Sequence, residues 1–195
     1  IDSSFGKEGK VVVNNIAGVN VNDRGNSIYV DSNGKVYVTG SSDNGRNADM
    51  YVIRLNRDGS IDSSFGKEGK VVVNNIAGVN VNDRGNSIYV DSNGKVYVTG
   101  SSDNGRNADM YVIRLNRDGS IDSSFGKEGK VVVNNIAGVN VNDRGNSIYV
   151  DSNGKVYVTG SSDNGRNADM YVIRLNRDGS IDSSFGKEGK VVVNN

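Results

Sequence analysis

Residues 27–39 read SIYVDSNGKVYVT, two short runs of Val, Ile and Tyr on either side of Asp31-Ser32-Asn33-Gly34. β-Branched and aromatic residues favour an extended chain, and Asn-Gly supplies the positive φ that a tight hairpin requires. The stretch predicts an antiparallel pair, Ser27–Asp31 with Lys35–Thr39. Working outward, Lys10–Asn15 (KVVVNN) and Met50–Leu55 (MYVIRL) have the same character and lie between Gly, Asn, Asp and Ser clusters. No segment carries a sustained helical period with caps, so the chain reads as all-β.

The hairpin returns at 87–99 and 147–159 because the whole chain is periodic. Repeat 1 (1–60) recurs letter for letter as repeat 2 (61–120) and repeat 3 (121–180), and a partial repeat 4 (181–195) copies the first fifteen residues. Such identity implies either recent amplification or deliberate building, and an opening on Ile1 rather than Met suggests a piece of a longer chain. Every side chain recurs, so any activity has to belong to the repeat or to the junction between repeats.

Within each run the apolar residues occupy both faces. Val36 and Val38 oppose Tyr37, Met50 and Val52 oppose Tyr51, Ile53 and Leu55, and Val11 and Val13 oppose Val12. A sheet with one wet face would alternate cleanly between apolar and polar residues. A four-stranded sheet that is apolar on both sides and covered by its own copies is a β-propeller blade. The expected fold is therefore a set of tandem four-stranded β-propeller-type blades, three repeats plus one extra strand. A β-solenoid is the alternative, and it should show more one-faced strands. Either long connection, 15–26 or 56–69, could cross from blade to blade. The first is favoured because Ile16, Ala17, Val19 and Val21 could pack along a blade edge. Phe5, alone in a polar loop, is expected to plug that loop into the core or the inter-repeat groove.

The strings SIYVDSNGKVYVTGSS and ADMYVIRLNRDGSIDSSFGKEGKV resemble the bacterial delta-60 repeat, a β-propeller-type domain found in tandem. The resemblance covers the whole chain. It implies a propeller-like fold and an extracellular or cell-surface location, and it carries no activity.

Composition narrows the function. The chain has 23 Lys and Arg against 23 Asp and Glu, so no basic stripe points to nucleic acid. Apolar runs of three or four residues fall far short of the about 20 needed by a spanning helix, so no membrane insertion is expected. The absence of Cys and His removes disulfides, the commonest general base and the commonest zinc ligand.

Four groups of residues invite a chemical reading. Asn56, Asp58 and Asp62 are the calcium candidates, in a loop that matches a calcium-binding loop at inner positions. Arg54 and Phe65 occupy its first and last anchors, so the adopted reading is a Gly turn closed by Asx hydrogen bonds, with no metal and no cofactor. Asp43, Asn44, Asn47 and Asp49 form a second oxygen-rich loop. Asp2 with Glu8 and Asp43 with Asp49 are the carboxylate pairs a glycosidase would need, but nothing marks them as buried. Tyr29, Tyr37 and Tyr51 read as packing residues with a hydrogen-bonded tip. The chain is accordingly read as not an enzyme, with no catalytic residue.

Three blades are fewer than the about 4–8 that close a propeller. The expected function is a structural scaffold whose partner is itself, assembling into a ring or filament. The assembly edge is expected at Val11, Val12 and Val13 and at Val191, Val192 and Val193. The alternative is a multivalent module that takes a glycan or protein ligand on the loops Ser41–Asp49.

Overall fold

Gly34 carries the turn of the deciding hairpin. In the computed structural model, which describes residues 1–194, its φ is +78°. Asn33 keeps an ordinary φ, so the positive φ expected of the Asn-Gly pair falls on Gly34 alone. Gly34 N–H donates to the Asp31 carbonyl at 2.9 Å, and Asp31 Oδ1 accepts the N–H groups of Asn33 and Lys35, both at 2.9 Å. This is a three-residue hairpin loop, a turn followed by one left-handed residue.

The hairpin joins β1 (Asp23–Val30) to β2 (Val36–Asp43), and β3 (Ala48–Leu55) and β4 (Lys70–Val73) complete an antiparallel sheet in the order β1-β2-β3-β4. The second sheet holds β5 (Asp83–Val90), β6 (Val96–Asp103), β7 (Ala108–Leu115) and β8 (Lys130–Val133). The third holds β9 (Asp143–Val150), β10 (Val156–Asp163), β11 (Ala168–Leu175) and β12 (Lys190–Val193). These are three propeller-type blades, and their sheet order excludes the solenoid.

Each blade is offset from the sequence repeat, because its fourth strand comes from the repeat that follows. Lys190–Val193, the extra strand, completes blade 3. Lys10–Val13 has no sheet to join and forms only a bridge between Lys7 and Lys10, which corrects the strand expected at Lys10–Asn15. The inner strands are longer than expected. Asp23–Gly25 and Gly40–Ser42 also pair, with a bulge between Gly25 and Ser27. Gly40, Gly100 and Gly160 permit that extension, since a Cβ on Gly100 would lie 1.8 Å from the Arg84 carbonyl oxygen.

The chain passes from the outer strand β4 to the inner strand β5 through residues 74–82, the counterpart of 14–22 and so part of the favoured connection, whereas 56–69 stays within a blade. Asn75 and Asn80 take left-handed φ of 55°, which Asn tolerates. Asn80 N–H closes the loop on Asn75 Oδ1 at 2.9 Å. The expected edge packing is only partly realised. Ile76 and Ile136 enter the core, while Val79 and Val139 point to solvent.

The cores lie between blades. Tyr37, Met50, Val52 and Phe65 of blade 1 meet Ile88, Val90, Val96, Val98 and Ile113 of blade 2, and the same set repeats between blades 2 and 3. Phe65 and Phe125 are fully buried there, so the Phe5 position is the expected plug.

Gly100→Ala should lower stability by roughly 1–3 kcal/mol through steric overlap alone, since its φ lies outside the left-handed region. Urea unfolding of the two proteins measures the difference.

Candidate functional site at the blade junction

At each junction a buried cation is held by one blade and reaches into the next. Arg54 Nε donates to Asp62 Oδ2 at 2.8 Å, Nη2 to Ser64 Oγ at 2.9 Å, and Nη1 crosses to the Arg117 carbonyl of blade 2 at 2.6 Å. Its guanidinium carbon sits 4.7 Å from the centre of the Phe65 ring and 5.9 Å from that of Tyr37. The planar five-donor fork suits this role, because one side chain can bind a carboxylate, a hydroxyl and a carbonyl while stacking on a ring. Arg114 repeats every contact one blade on.

The calcium candidates belong to the same cluster. Lys35 Nζ donates to Asn56 Oδ1 at 2.6 Å and to Asp62 Oδ2 at 2.7 Å, so an ammonium group already engages two of the three candidate side chains. Asp58 caps its own turn, accepting Ser60 N–H at 2.9 Å and Ser60 Oγ–H at 2.7 Å. Burial opposes ionisation of Asp62, but the hydrogen bonds from Lys35, Ser64 and Arg54 outweigh it and hold the carboxyl well below the usual range.

The second oxygen-rich loop is also committed to the junction. Asn44 and Asn47 donate to Asp49, Asn47 Nδ2 reaches the Val81 carbonyl of the next blade, and Ala48 N–H donates to Asn82 Oδ1 at 3.0 Å. The β-bulge leaves Asn26 free of the ladder and aims its amide at the Gly85 carbonyl, 2.9 Å away.

Asp83 and Asp143 start the inner strands at these junctions and are fully buried. In blade 1 the equivalent Asp23 accepts Ser42 Oγ–H at 2.6 Å, whereas neither oxygen of Asp83 completes a hydrogen bond among the described residues. Burial pushes the Asp83 carboxyl up to about 6, offset in part by the nearby Ser102 hydroxyl and the Ile76 and Asn75 N–H groups. Asp143 is pushed up for the same first reason.

Identical sequence does not give identical exposure. Met50 and Met110 are fully buried, whereas Met170 is 49% exposed on the outer face of blade 3. Ile88 is 5% exposed, whereas Ile28 is 64% exposed on the opposite face of blade 1. Arg174 keeps Asp182 and Ser184, but among the described residues no carbonyl meets its Nη1. Of the residues expected to form the assembly edge, Val11 and Val13 pack on blade 1, Val12 is 87% exposed, and Val191, Val192 and Val193 pair with β11 through the ladder of blade 3. Uncovered apolar surface thus includes sheet faces, at Ile28 and Met170, as well as Val12, Val191 and Val193. The signal for Ile28 and Met170 was the two-faced pattern itself, followed to the blades that have one neighbour.

A chain of four-stranded blades joined through such faces is a tandem β-propeller protein. The family described as domain of unknown function (DUF5122) beta-propeller matches residues 32–65, 92–125 and 152–185, just over half of the sequence, and the chain belongs to that family. A second family, described as beta-propeller repeat, matches 71–105 and 131–165. No curated protein matches. Among solved structures, the chain is similar to an exo-1,5-alpha-L-arabinanase from a bovine ruminal metagenomic library. Identity is 15% and the TM-score is 0.41, over 85% of this chain and 57% of that one. This chain spans little more than half of that protein's length. The expectation that the chain is not an enzyme is corrected at this point. The solved structure it matches is described as an exo-arabinanase.

Three outcomes are expected. Arg114→Ala should destabilise the protein, by less than the roughly 3–5 kcal/mol of a broken buried pair, because Lys95 still meets Asp122 at 2.7 Å; denaturant titration reads the loss. Millimolar calcium should leave the melting temperature unchanged, since Lys35 already engages the loop oxygens. The third is a pH dependence. The raised pKa of Asp83 gives stability that is complete below the ordinary carboxylate value of 3.8 and is lost as pH rises through about 6. The depressed Asp62 carboxyl acts oppositely and matters only on further acidification. Melting temperature should therefore rise as pH falls from 7.5 to 5, and Asp83→Asn with Asp143→Asn should flatten that slope.

Proposed function

We propose that this chain is a structural repeat scaffold that assembles by seating the first blade of one copy on the last blade of another. The observation that carries this reading is the pair of uncovered faces, because each repeats a surface that is buried inside the chain. The outer face of blade 3 presents Tyr157, Met170, Val172 and Phe185, the counterparts of Tyr37, Met50, Val52 and Phe65. The opposite face of blade 1 presents Ile28 and Val30, whose counterparts Ile88 and Val90 fill the internal junction.

The polar groups match in the same sense. Blade 3 offers the donors Asn146 Nδ2, Asn167 Nδ2 and Arg174 Nη1, and blade 1 offers the carbonyls of Gly25, Val21 and Arg57, in the pairing used by Asn26, Asn47 and Arg54. The two faces differ from each other, so the contact is heterologous and leads to a ring if the rotation closes and a filament if it does not. One adjustment is needed. Lys190–Val193 already supply the fourth strand of blade 3, so the identical residues Lys10–Val13 of the incoming copy must give way or exchange with them.

Within the family, we read the repeats as the delta-60 type and propose an extracellular or cell-surface location, on the sequence resemblance alone. Binding of ligands by the Ser41–Asp49 loops has less support, because Asn44, Asn47 and Asp49 spend their hydrogen bonds on one another and on the next blade.

Sedimentation velocity on the 195-residue chain should show a mass that grows with concentration across the micromolar range. Met170→Glu should weaken the association by about tenfold or more, the equivalent of about 1.4 kcal/mol. Val12→Lys should leave it unchanged, and loss of association with that substitution would return the contact to the strand edges. Removal of residues 1–15 should strengthen association. A strict monomer at all concentrations would end the proposal.

A further inference from the structure

Where the β1–β2 hairpin and its copies turn, two equivalent hollows open between neighbouring blades, each of 330 Å³. The first is walled by Tyr29 and Tyr89 and ringed by Asp31, Asp91, Asn93 and Arg117. The second repeats it 60 residues on, with Tyr89 and Tyr149 as walls and Asp151 and Arg177 at the rim. The tyrosines belong to the innermost strands and climb as a staircase. Ring centres are 5.4 Å apart at both steps, with interplanar angles of 60° and 70°. Tyr29 and Tyr89 are half-buried and Tyr149 is exposed, so each hollow has an open aromatic wall.

The polar groups are fixed yet incompletely used. Asp91 Oδ1 is held by the N–H groups of Asn93 at 2.8 Å and Lys95 at 2.9 Å, while among the described residues Oδ2 meets only the Tyr97 hydroxyl, at 3.4 Å. Asp31 is held in the same way through Oδ1. The Arg117 side chain lies over Gly94, where a Cβ would come within 3.1 Å of its Cγ, and among the described residues its guanidinium makes no hydrogen bond. Each hollow therefore combines oriented acceptors, an open five-donor fork and an aromatic face.

We propose that these hollows bind consecutive sugar residues of a neutral oligosaccharide. A sugar ring presents an apolar C–H face to an aromatic ring and a rim of hydroxyls, each both donor and acceptor, and the mixed Asp, Asn and Arg rim can serve both. With two carboxylates to one guanidinium at each hollow, an anionic glycan is disfavoured. A bare calcium ion would need 6–8 oxygens, and the guanidinium opposes it. Each hollow is shallow and weak by itself, and two in register gain affinity by acting together on one chain. This site lies at the hairpin turns, away from the Ser41–Asp49 loops, and does not depend on self-assembly.

The test uses the 195-residue protein and neutral hexasaccharides of glucose, xylose and arabinose, with tetragalacturonate and calcium chloride as separate controls. Without Trp, emission comes from the nine tyrosines, and the part of any response that belongs to the walls is the part lost in Tyr89→Ala. At least one neutral hexasaccharide should bind with a dissociation constant of about 1 mM or tighter. Tyr89→Ala removes the wall common to both hollows and should weaken binding by about tenfold or more. Tyr29→Ala and Tyr149→Ala should each leave one of two sites, read by calorimetric titration. Arg117→Ala, at an exposed side chain, should weaken binding without loss of the β-type circular dichroism, and Asn104→Ala in the opposite loop should have no effect. The proposal fails if no neutral sugar binds at tens of millimolar. It fails equally if tetragalacturonate or calcium alone gives the same response, or if binding survives both Tyr89→Ala and Arg117→Ala.

Discussion

Each sheet of this protein is apolar on both faces, and everything else follows from the need to cover them. β3 and β7 are buried along their whole length. Met50 and Val52 face blade 2, and the opposite-face residues Tyr51, Ile53 and Leu55 are covered by Phe5, Val11 and Val13 of the N-terminal segment. The corresponding Tyr111, Ile113 and Leu115 of β7 face blade 1. Burial of one such side chain is worth roughly 1.5–3 kcal/mol, so a blade without neighbours would leave several of these contributions unrealised. Stability accordingly resides between blades, as in other repeat proteins.

Apolar contact between flat sheets does not by itself fix how they are seated. The polar links do that. Arg54, anchored at Asp62, can reach the Arg117 carbonyl only when the next blade sits at one height and rotation, and Asn26 and Asn47 add two further fixed points. Buried charges contribute little net stability when paired but penalise any arrangement that unpairs them. The latch therefore selects one way of stacking among those the apolar faces would accept.

Three copies of one sequence do not give three copies of one environment. Asp23 accepts a short hydrogen bond from Ser42, while Asp83, with a blade packed in front of it, is buried with a raised pKa. Features made by two blades occur once per junction, as the paired tyrosine hollows do. Repetition in the sequence thus generates sites that no single repeat contains.

The sequence by itself determined the all-β blades, the hairpin at Asp31–Lys35, the two-faced burial and the plugging role of the Phe5 position. Those rest on local turn chemistry and on the period-2 pattern, which are written residue by residue. Only the tertiary structure decided the offset between blade and repeat, because the fourth strand pairs with a segment from the following repeat and KVVV reads the same wherever it docks. It also added open surface on the faces bearing Ile28 and Met170 to the exposed valines, since exposure depends on which neighbour is present. The roles of Lys35 and Arg54 were invisible for a related reason. Their partners Asp62 and the Arg117 carbonyl lie 27, 8 and 63 positions away; folding of the blade brings Asp62 to both, and only the stacking of blades brings the Arg117 carbonyl to Arg54.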